Sequence, residues 1–154
     1  MKFSFTMFLA TGFYSGLLPK APGTWGSLAA IPLWFFLSFL SPASYGLMLA
    51  GLFLAGWFVA GEAEKIVDKP DPGCVVIDEI FGMFITLFAA SRHWAVVIAA
   101  FLLFRLFDIW KPFPISWLDR HINGGLGIML DDAMAGVYAF IALRLLLFLG
   151  DLWP

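Results

Sequence analysis

Two pairs of acidic residues lie inside apolar stretches of this sequence. Asp78 with Glu79, and Asp131 with Asp132, each follow three apolar residues and precede a glycine within four positions. Ionised carboxylates in apolar surroundings are unfavourable unless they have partners or a function. Because a glycine lets a neighbouring helix approach closely, we expect the two acid pairs to meet at one helix interface.

Four clustered carboxylates repel one another unless a cation lies among them. Oxygen ligands without a supporting Cys or His cluster favour Mg²⁺, Mn²⁺ or Ca²⁺ over zinc. The alternative is that the acids only cap helix N-termini and form salt bridges. Capping explains one acid per helix rather than an embedded pair, so the pattern favours a metal site.

A third polar group has helical spacing. Arg105, Asp108 and Lys111 are separated by three residues each, which places them in one stripe on a helix. Asp108 would add a carboxylate for a metal, Arg105 would hold a phosphate with its fork of donors, and Lys111 would act as a point charge. A purely structural ion pair is the alternative.

The loop before the first long apolar segment is rich in glycine and proline, and it contains Lys20 and Thr24. A helix N-terminus with free amides, a hydroxyl group and a nearby lysine can bind an anion. Loops with a capping threonine are common, so this stretch alone is a weak indication of a phosphate site.

The elements that carry these residues are strongly apolar. The chain has 154 residues, of which 62% are hydrophobic and 13% charged, against about 45–50% and about 25% in soluble domains. So short a chain cannot bury that much apolar surface. The composition therefore predicts a membrane protein and excludes a disordered chain. A net charge of −2 without a basic run argues against nucleic-acid binding, and the single cysteine excludes an internal disulfide.

We predict an all-α fold, a polytopic membrane helical bundle of about four to five membrane helices in one domain, 1–154. An N-terminal interfacial segment covers 1–18, a polar loop follows 110, and the tail 151–154 is interfacial. Apolar runs between Pro/Gly breaks predict helices at 26–40, 43–67, 75–90, 95–110 and 128–150.

This topology gathers charge at one membrane face. Ten of the eleven acidic residues and most of the basic ones fall on the side of the polar loops, whereas Arg92 and Arg144 fall on the other. Because Lys and Arg collect on the cytoplasmic side, we expect the acid-bearing ends to face the cytoplasm.

Taken together, the motifs resemble the phosphatidylglycerophosphatase A family, a bacterial family of lipid phosphatases. The resemblance covers about residues 10–142. It is carried by PKAPGTWGS at 19–27, IDE at 77–79, RLFDIWKP at 105–112 and GGLGIMLDD at 124–132.

The resemblance implies Mg²⁺-dependent removal of the terminal phosphate of phosphatidylglycerophosphate, at the cytoplasmic side of the bacterial inner membrane among its membrane lipids. Water attacks phosphorus directly, or one carboxylate first forms an aspartyl-phosphate. We expect one set of residues to bind the metal and act in catalysis: Asp78, Glu79, Asp131 and Asp132, with Asp108. We expect a second set to bind the phosphate: Lys20, Thr24, Arg105 and Lys111.

Two other functions are compatible with clustered carboxylates in a membrane protein. A cation transporter or channel subunit would use them as ion ligands, and a structural membrane module would bind lipid head groups without turnover. A transporter would place its acids near mid-membrane. Here the acids are predicted at helix ends, which favours the phosphatase.

Overall fold

The computed structural model describes residues 4–150, and every regular element in that range is helical. A short 3₁₀ turn, Ser15–Leu17, follows the first helix. The seven α-helices in chain order are α1 Phe5–Ala10, α2 Pro22–Leu37, α3 Pro42–Val67, α4 Ile77–Thr86, α5 Trp94–Trp110, α6 Ile115–His121 and α7 Gly124–Leu149. The tail 151–154, predicted to be interfacial, lies outside the described residues.

Local sequence explains where the longest helices begin and end. At the start of α3 the Ser41 hydroxyl accepts a hydrogen bond from the Ser44 amide at 3.1 Å, and Pro42 occupies the first helical position. The helix ends at Asp68, which has the left-handed conformation. At the start of α7, Gly124 has a φ of 75°, which glycine adopts without strain.

Helix α7 is the centre of the bundle, since it packs against α3, α4, α5 and α6. Its closest approach is to α4, at Gly136 and Gly82. A Cβ atom on Gly136 would lie 2.5 Å from the Gly82 carbonyl oxygen, and one on Gly82 would lie 2.7 Å from the Asp132 carbonyl oxygen. The predicted close crossing of the two acid-bearing helices is therefore confirmed.

Large apolar side chains cover the outside of the bundle as well as its core. Along α3, Leu47 is 76% exposed and Phe58 70%, while Leu149 at the end of α7 is 80% exposed. Within the described residues, α3 and α7 are the two helices long and apolar enough to cross a membrane. This surface is unfavourable in water and suits lipid.

The expected number of membrane helices was wrong, because three predicted spans are short. Helix α2 has 16 residues, α4 has 10 and α5 has 17, whereas a hydrocarbon core of about 30 Å needs about 20 residues. Helix α4 starts two residues later than expected because the Val76 amide donates to the Ala10 carbonyl at the end of α1, at 2.8 Å. It ends at Thr86, before the expected 90.

Helix α6 was missed, since the stretch that follows 110, up to 127, was expected to be a polar loop. The chain turns into α6 directly after Pro112 and Pro114, and the amide of Ile115 donates to the Pro112 carbonyl at 2.8 Å. Ile115 is fully buried, whereas Asp119 is exposed. One buried side chain in a polar helix of seven residues leaves too weak a periodicity to detect.

We predict that Gly136→Ala destabilises the fold by about 1–3 kcal/mol, because the added methyl group would overlap the α4 backbone. Thermal unfolding in detergent measures the effect. Gly46→Ala is the matched control, since a Cβ atom at Gly46 of α3 meets nothing within 4 Å. Equal melting temperatures for the two variants would contradict the close crossing.

Candidate active site

A polar cavity of about 270 Å³ lies where two helices begin and a third ends, beside a turn of α7. Its walls come from the start of α2, the loop before α4, the first turn of α4, the end of α5 and the third turn of α7. We call it the acid cavity, after the side chains that line it: Asp71, Asp78, Glu79, Asp108, Asp131 and Asp132, together with Arg105 and Lys111.

Three of these acids form a compact group. Carboxylate oxygens of Asp78, Glu79 and Asp132 all lie within 4.8 Å of one another. Asp78 is 8% exposed and Asp132 is 3% exposed, so little water reaches them. The crossing at Gly82 and Gly136 produces this group, since each glycine follows the acids on its own helix by about one turn.

Two carboxylate oxygens of the group lack the partners that buried carboxylates need. Within the described residues, Asp78 Oδ1 and Glu79 Oε2 are buried without a hydrogen-bond partner. Burial, and then the charges of Glu79 and Asp132, raise the pKa of Asp78 well above its usual value. Burial likewise raises the pKa of Glu79 to about 7. A divalent cation would relieve both effects, and an all-oxygen donor set fits Mg²⁺, Mn²⁺ or Ca²⁺.

Asp131 lies outside this compact group, although it lines the same cavity. Its Oδ2 accepts a hydrogen bond from Lys111 Nζ at 2.6 Å, and the same ammonium donates to Asp119 Oδ1 at 2.6 Å. Burial disfavours charge on Lys111, but the two carboxylates outweigh this and raise its pKa above the ordinary value. Lys111 therefore stays charged at the cavity wall.

Arg105 and Asp108 form an ion pair at the end of α5, as the three-residue spacing predicts. Both side chains are mostly buried, at 16% and 13% exposed. Arg105 Nε is buried without an acceptor within residues 4–150. The guanidinium therefore keeps one donor unused beside the cavity, while Asp108 is paired with it.

The loop before α2 contributes backbone rather than the two side chains expected from it. Lys20 is exposed, and neither Lys20 nor Thr24 lines the acid cavity. Left-handed conformations at Lys20 and Ala21, with φ of 65° and 48°, turn the chain so that Ala21, Pro22 and Gly23 form the wall. A Cβ atom on Gly23 would lie 2.1 Å from Glu79 Oε1, so a side chain there would require the Glu79 carboxylate to move.

Three contributors escaped the sequence reasoning: Asp71, Asp119 and Gly23. Asp71 is not among the expected site residues, yet it lines both the acid cavity and a neighbouring cavity of about 450 Å³. Asp119 meets Lys111 only because α6 folds back. The spacing of residues along the chain does not predict the positions of Asp71 and Asp119. For Gly23 the sequence gave a weak indication, because it lies in the glycine- and proline-rich stretch before the first long apolar segment.

Comparisons with known proteins agree on one family. A sequence model of the family described as phosphatidylglycerophosphatase A matches residues 8–147. The Escherichia coli protein named phosphatidylglycerophosphatase A is 46% identical over 95% of this chain and 84% of its own length. The protein of that name from Haemophilus influenzae is 44% identical over 86% and 83%.

A relative from Bacteroides thetaiotaomicron carries a different printed name, "Putative phosphatidylinositol-3-phosphatase". It is 43% identical over 86% of this chain and 87% of its own length. No solved structure matches the chain.

We expect Lys111→Met to destabilise the fold by about 2 kcal/mol, because it leaves the carboxylate of Asp131 buried without a cation. The control is Lys65→Met, which removes an exposed pair with Glu62 and should change stability by less than about 1 kcal/mol. Chemical denaturation in detergent compares the two variants. A loss no larger than that of the control would contradict the buried pairing.

Proposed function

The chain belongs to the phosphatidylglycerophosphatase A family, and we propose that it hydrolyses the terminal phosphomonoester of phosphatidylglycerophosphate. The products are phosphate and phosphatidylglycerol. The relatives that carry this enzyme name cover most of the chain, and all four family motifs are intact. The family model and the three relatives all carry phosphatase names, so a cation transporter receives no support.

The observation that carries the proposal is that unpaired hydrogen-bond acceptors and an unpaired donor lie around one cavity. Within residues 4–150, one carboxylate oxygen of Asp78 and one of Glu79 lack donors, and Arg105 Nε lacks an acceptor. A phosphomonoester bound with a divalent cation would satisfy both, since its oxygens accept from arginine while the cation binds the carboxylates.

We assign the metal to Mg²⁺ and its ligands to Asp78, Glu79 and Asp132. Bound Mg²⁺ supplies positive charge that offsets the charge on the phosphate oxygens during transfer. Arg105 binds the phosphate through its free donor, while Asp108 fixes the direction of the guanidinium. Asp131 and Asp119 hold the ammonium of Lys111 at the cavity wall, where it attracts the anionic head group.

The reaction breaks the bond between phosphorus and the oxygen of the lipid alcohol, which leaves with a proton. In the direct route, water attacks phosphorus and its proton passes to the leaving oxygen. In the other route, an aspartate carboxylate attacks phosphorus, and water then hydrolyses the aspartyl-phosphate, which releases phosphate and restores the carboxylate. Acid quenching with ³²P-labelled substrate separates the two routes, because only an aspartyl-phosphate leaves label on the protein.

We propose that the chain is a multi-pass protein of the bacterial inner membrane with the acid cavity at the cytoplasmic face. Arg92 supports this orientation: it hydrogen-bonds to Ser38 at the end of α2, far along the helix from the cavity. The Lys and Arg residues of the described chain are more numerous at the cavity end, as the positive-inside rule requires. We place the N-terminal helix α1 at the membrane interface.

The deciding assay measures phosphate released from phosphatidylglycerophosphate in detergent, with and without Mg²⁺. We expect release only with Mg²⁺, and a loss on the order of 10²-fold or more in Asp78→Asn and Asp132→Asn, because each removes a cation ligand. Glu62→Gln should retain activity, since Glu62 pairs with Lys65 outside the cavity. The same assay with phosphatidylinositol 3-phosphate measures activity on the other head group that is named among the relatives.

No release from phosphatidylglycerophosphate under either condition would overturn the proposed function. Full activity in both asparagine variants would remove the compact acid group from the site. Full activity after chelation of divalent cations would overturn the Mg²⁺ assignment.

A second prediction concerns the wall formed by Gly23. Gly23→Ala should reduce turnover on the order of 10²-fold, because its methyl group would displace the Glu79 carboxylate and misplace the site. Gly73→Ala is the matched control: Gly73 lines the same cavity, but a Cβ atom there meets nothing within 4 Å. Equal turnover in the two variants would contradict this role for Gly23.

A further inference from the structure

An apolar groove of about 550 Å³ lies between α1, α2, α3 and α4. Every residue that lines it is apolar or glycine, and the groove opens on the outside of the bundle, where Phe36, Gly51 and Ala55 are exposed. Its volume is within the range of about 300–1,000 Å³ that small-molecule sites occupy. A groove of this kind offers no partner to a polar ligand.

The groove and the acid cavity share helix α4 as a common wall. Ile77, Ile80 and Phe84 face the groove, while Asp78 and Glu79 face the cavity. At about 100° per residue, the three apolar positions form one stripe and the two acids lie on the opposite side of the helix. The two sites therefore begin at the same turn of α4.

Helix α2 gives the groove its depth. Gly23 lines the acid cavity, whereas Leu33 and Leu37 line the groove. Ten to fourteen residues at 1.5 Å each place these leucines roughly 15–21 Å from Gly23 along the helix axis. Half of a hydrocarbon core is about 15 Å thick. With the cavity at head-group level, the groove runs from the polar boundary into the region of the acyl chains.

Gly51 of α3 lines the groove without contributing a side chain. A Cβ atom built on Gly51 meets nothing within 4 Å. The neighbouring residues Met48, Leu52 and Ala55 contribute the rest of the α3 wall. A larger residue at 51 would enter the groove without pressing on the backbone of another helix.

We propose that this groove binds one acyl chain of the lipid whose phosphate occupies the acid cavity. The inference rests on the proposed function, because a lipid phosphomonoester is the occupant that needs a polar and an apolar site on two sides of the same helix. Burial of the chain anchors the lipid, and α4 then fixes the distance between the chain and the phosphate.

The experiment compares dioleoyl and dihexanoyl phosphatidylglycerophosphate as substrates of Gly51→Leu in detergent. We expect KM for the dioleoyl substrate to rise about tenfold, because the leucine occupies space that the long chain needs. The short chains reach less of the groove, so KM for the dihexanoyl substrate and kcat for both should stay within about twofold of the wild type.

Gly46→Leu is the matched control, since Gly46 is also an exposed α3 glycine with open space at its Cβ but does not line the groove. It should leave both substrates unchanged. An unchanged KM for the dioleoyl substrate in Gly51→Leu overturns the proposal. An equal loss with both substrates also overturns it, because that pattern reports a general distortion.

Photolabelling separates this inference from the proposed function. A phosphatidylglycerophosphate with a diazirine at mid-chain should label the wild type in the peptide that contains Met48 and Leu52, and excess dioleoyl substrate should compete. If no phosphate is released but this labelling occurs, the proposed function fails and the acyl site stands. Labelling that does not compete, or that is confined to other helices, overturns the acyl site.

Discussion

The contact between Gly82 of α4 and Gly136 of α7 is the constraint on which the site depends. Two helix backbones approach so closely there that a single methyl group would overlap the facing carbonyl. Each glycine follows an acid by about one turn, so the approach brings Asp78 and Glu79 against Asp132. Bringing buried carboxylates together is unfavourable electrostatically, and tight backbone packing holds them there.

The charges around the cavity are balanced in two different ways. Lys111 binds Asp131 and Asp119, and Arg105 binds Asp108, so these acids have partners within the chain. In the compact group, Asp78 Oδ1 and Glu79 Oε2 have no hydrogen-bond partner among residues 4–150, which leaves the group suited to a cation. This division keeps the compact acid group distinct from the structural ion pairs in a chain with only 13% charged residues.

The short length of helix α4 lets it contribute to both the acid cavity and the apolar groove. Ten residues do not cross a bilayer, so the helix places its polar first turn at the cavity and its apolar stripe along the groove within about 15 Å. Around it, α3 and α7 provide the long apolar surfaces that suit lipid, while α2 and α5 each bring one terminus to the cavity. In this arrangement, helix α4 can contact both the head group and an acyl chain of a lipid.

The amino-acid sequence by itself determined the helical class, the long helices, the meeting of the two acid pairs' helices and the family. These follow from hydrophobic runs, proline and glycine breaks, and motif spacing, which are local properties of the chain. Tertiary structure alone decided that Asp131 pairs with Lys111 while Asp132 joins the compact group, and that Gly23 rather than Lys20 forms the cavity wall. Adjacent residues on a helix point about 100° apart, so which of two acids faces a partner depends on how the helices rotate and pack, and spacing in one helix carries no record of that.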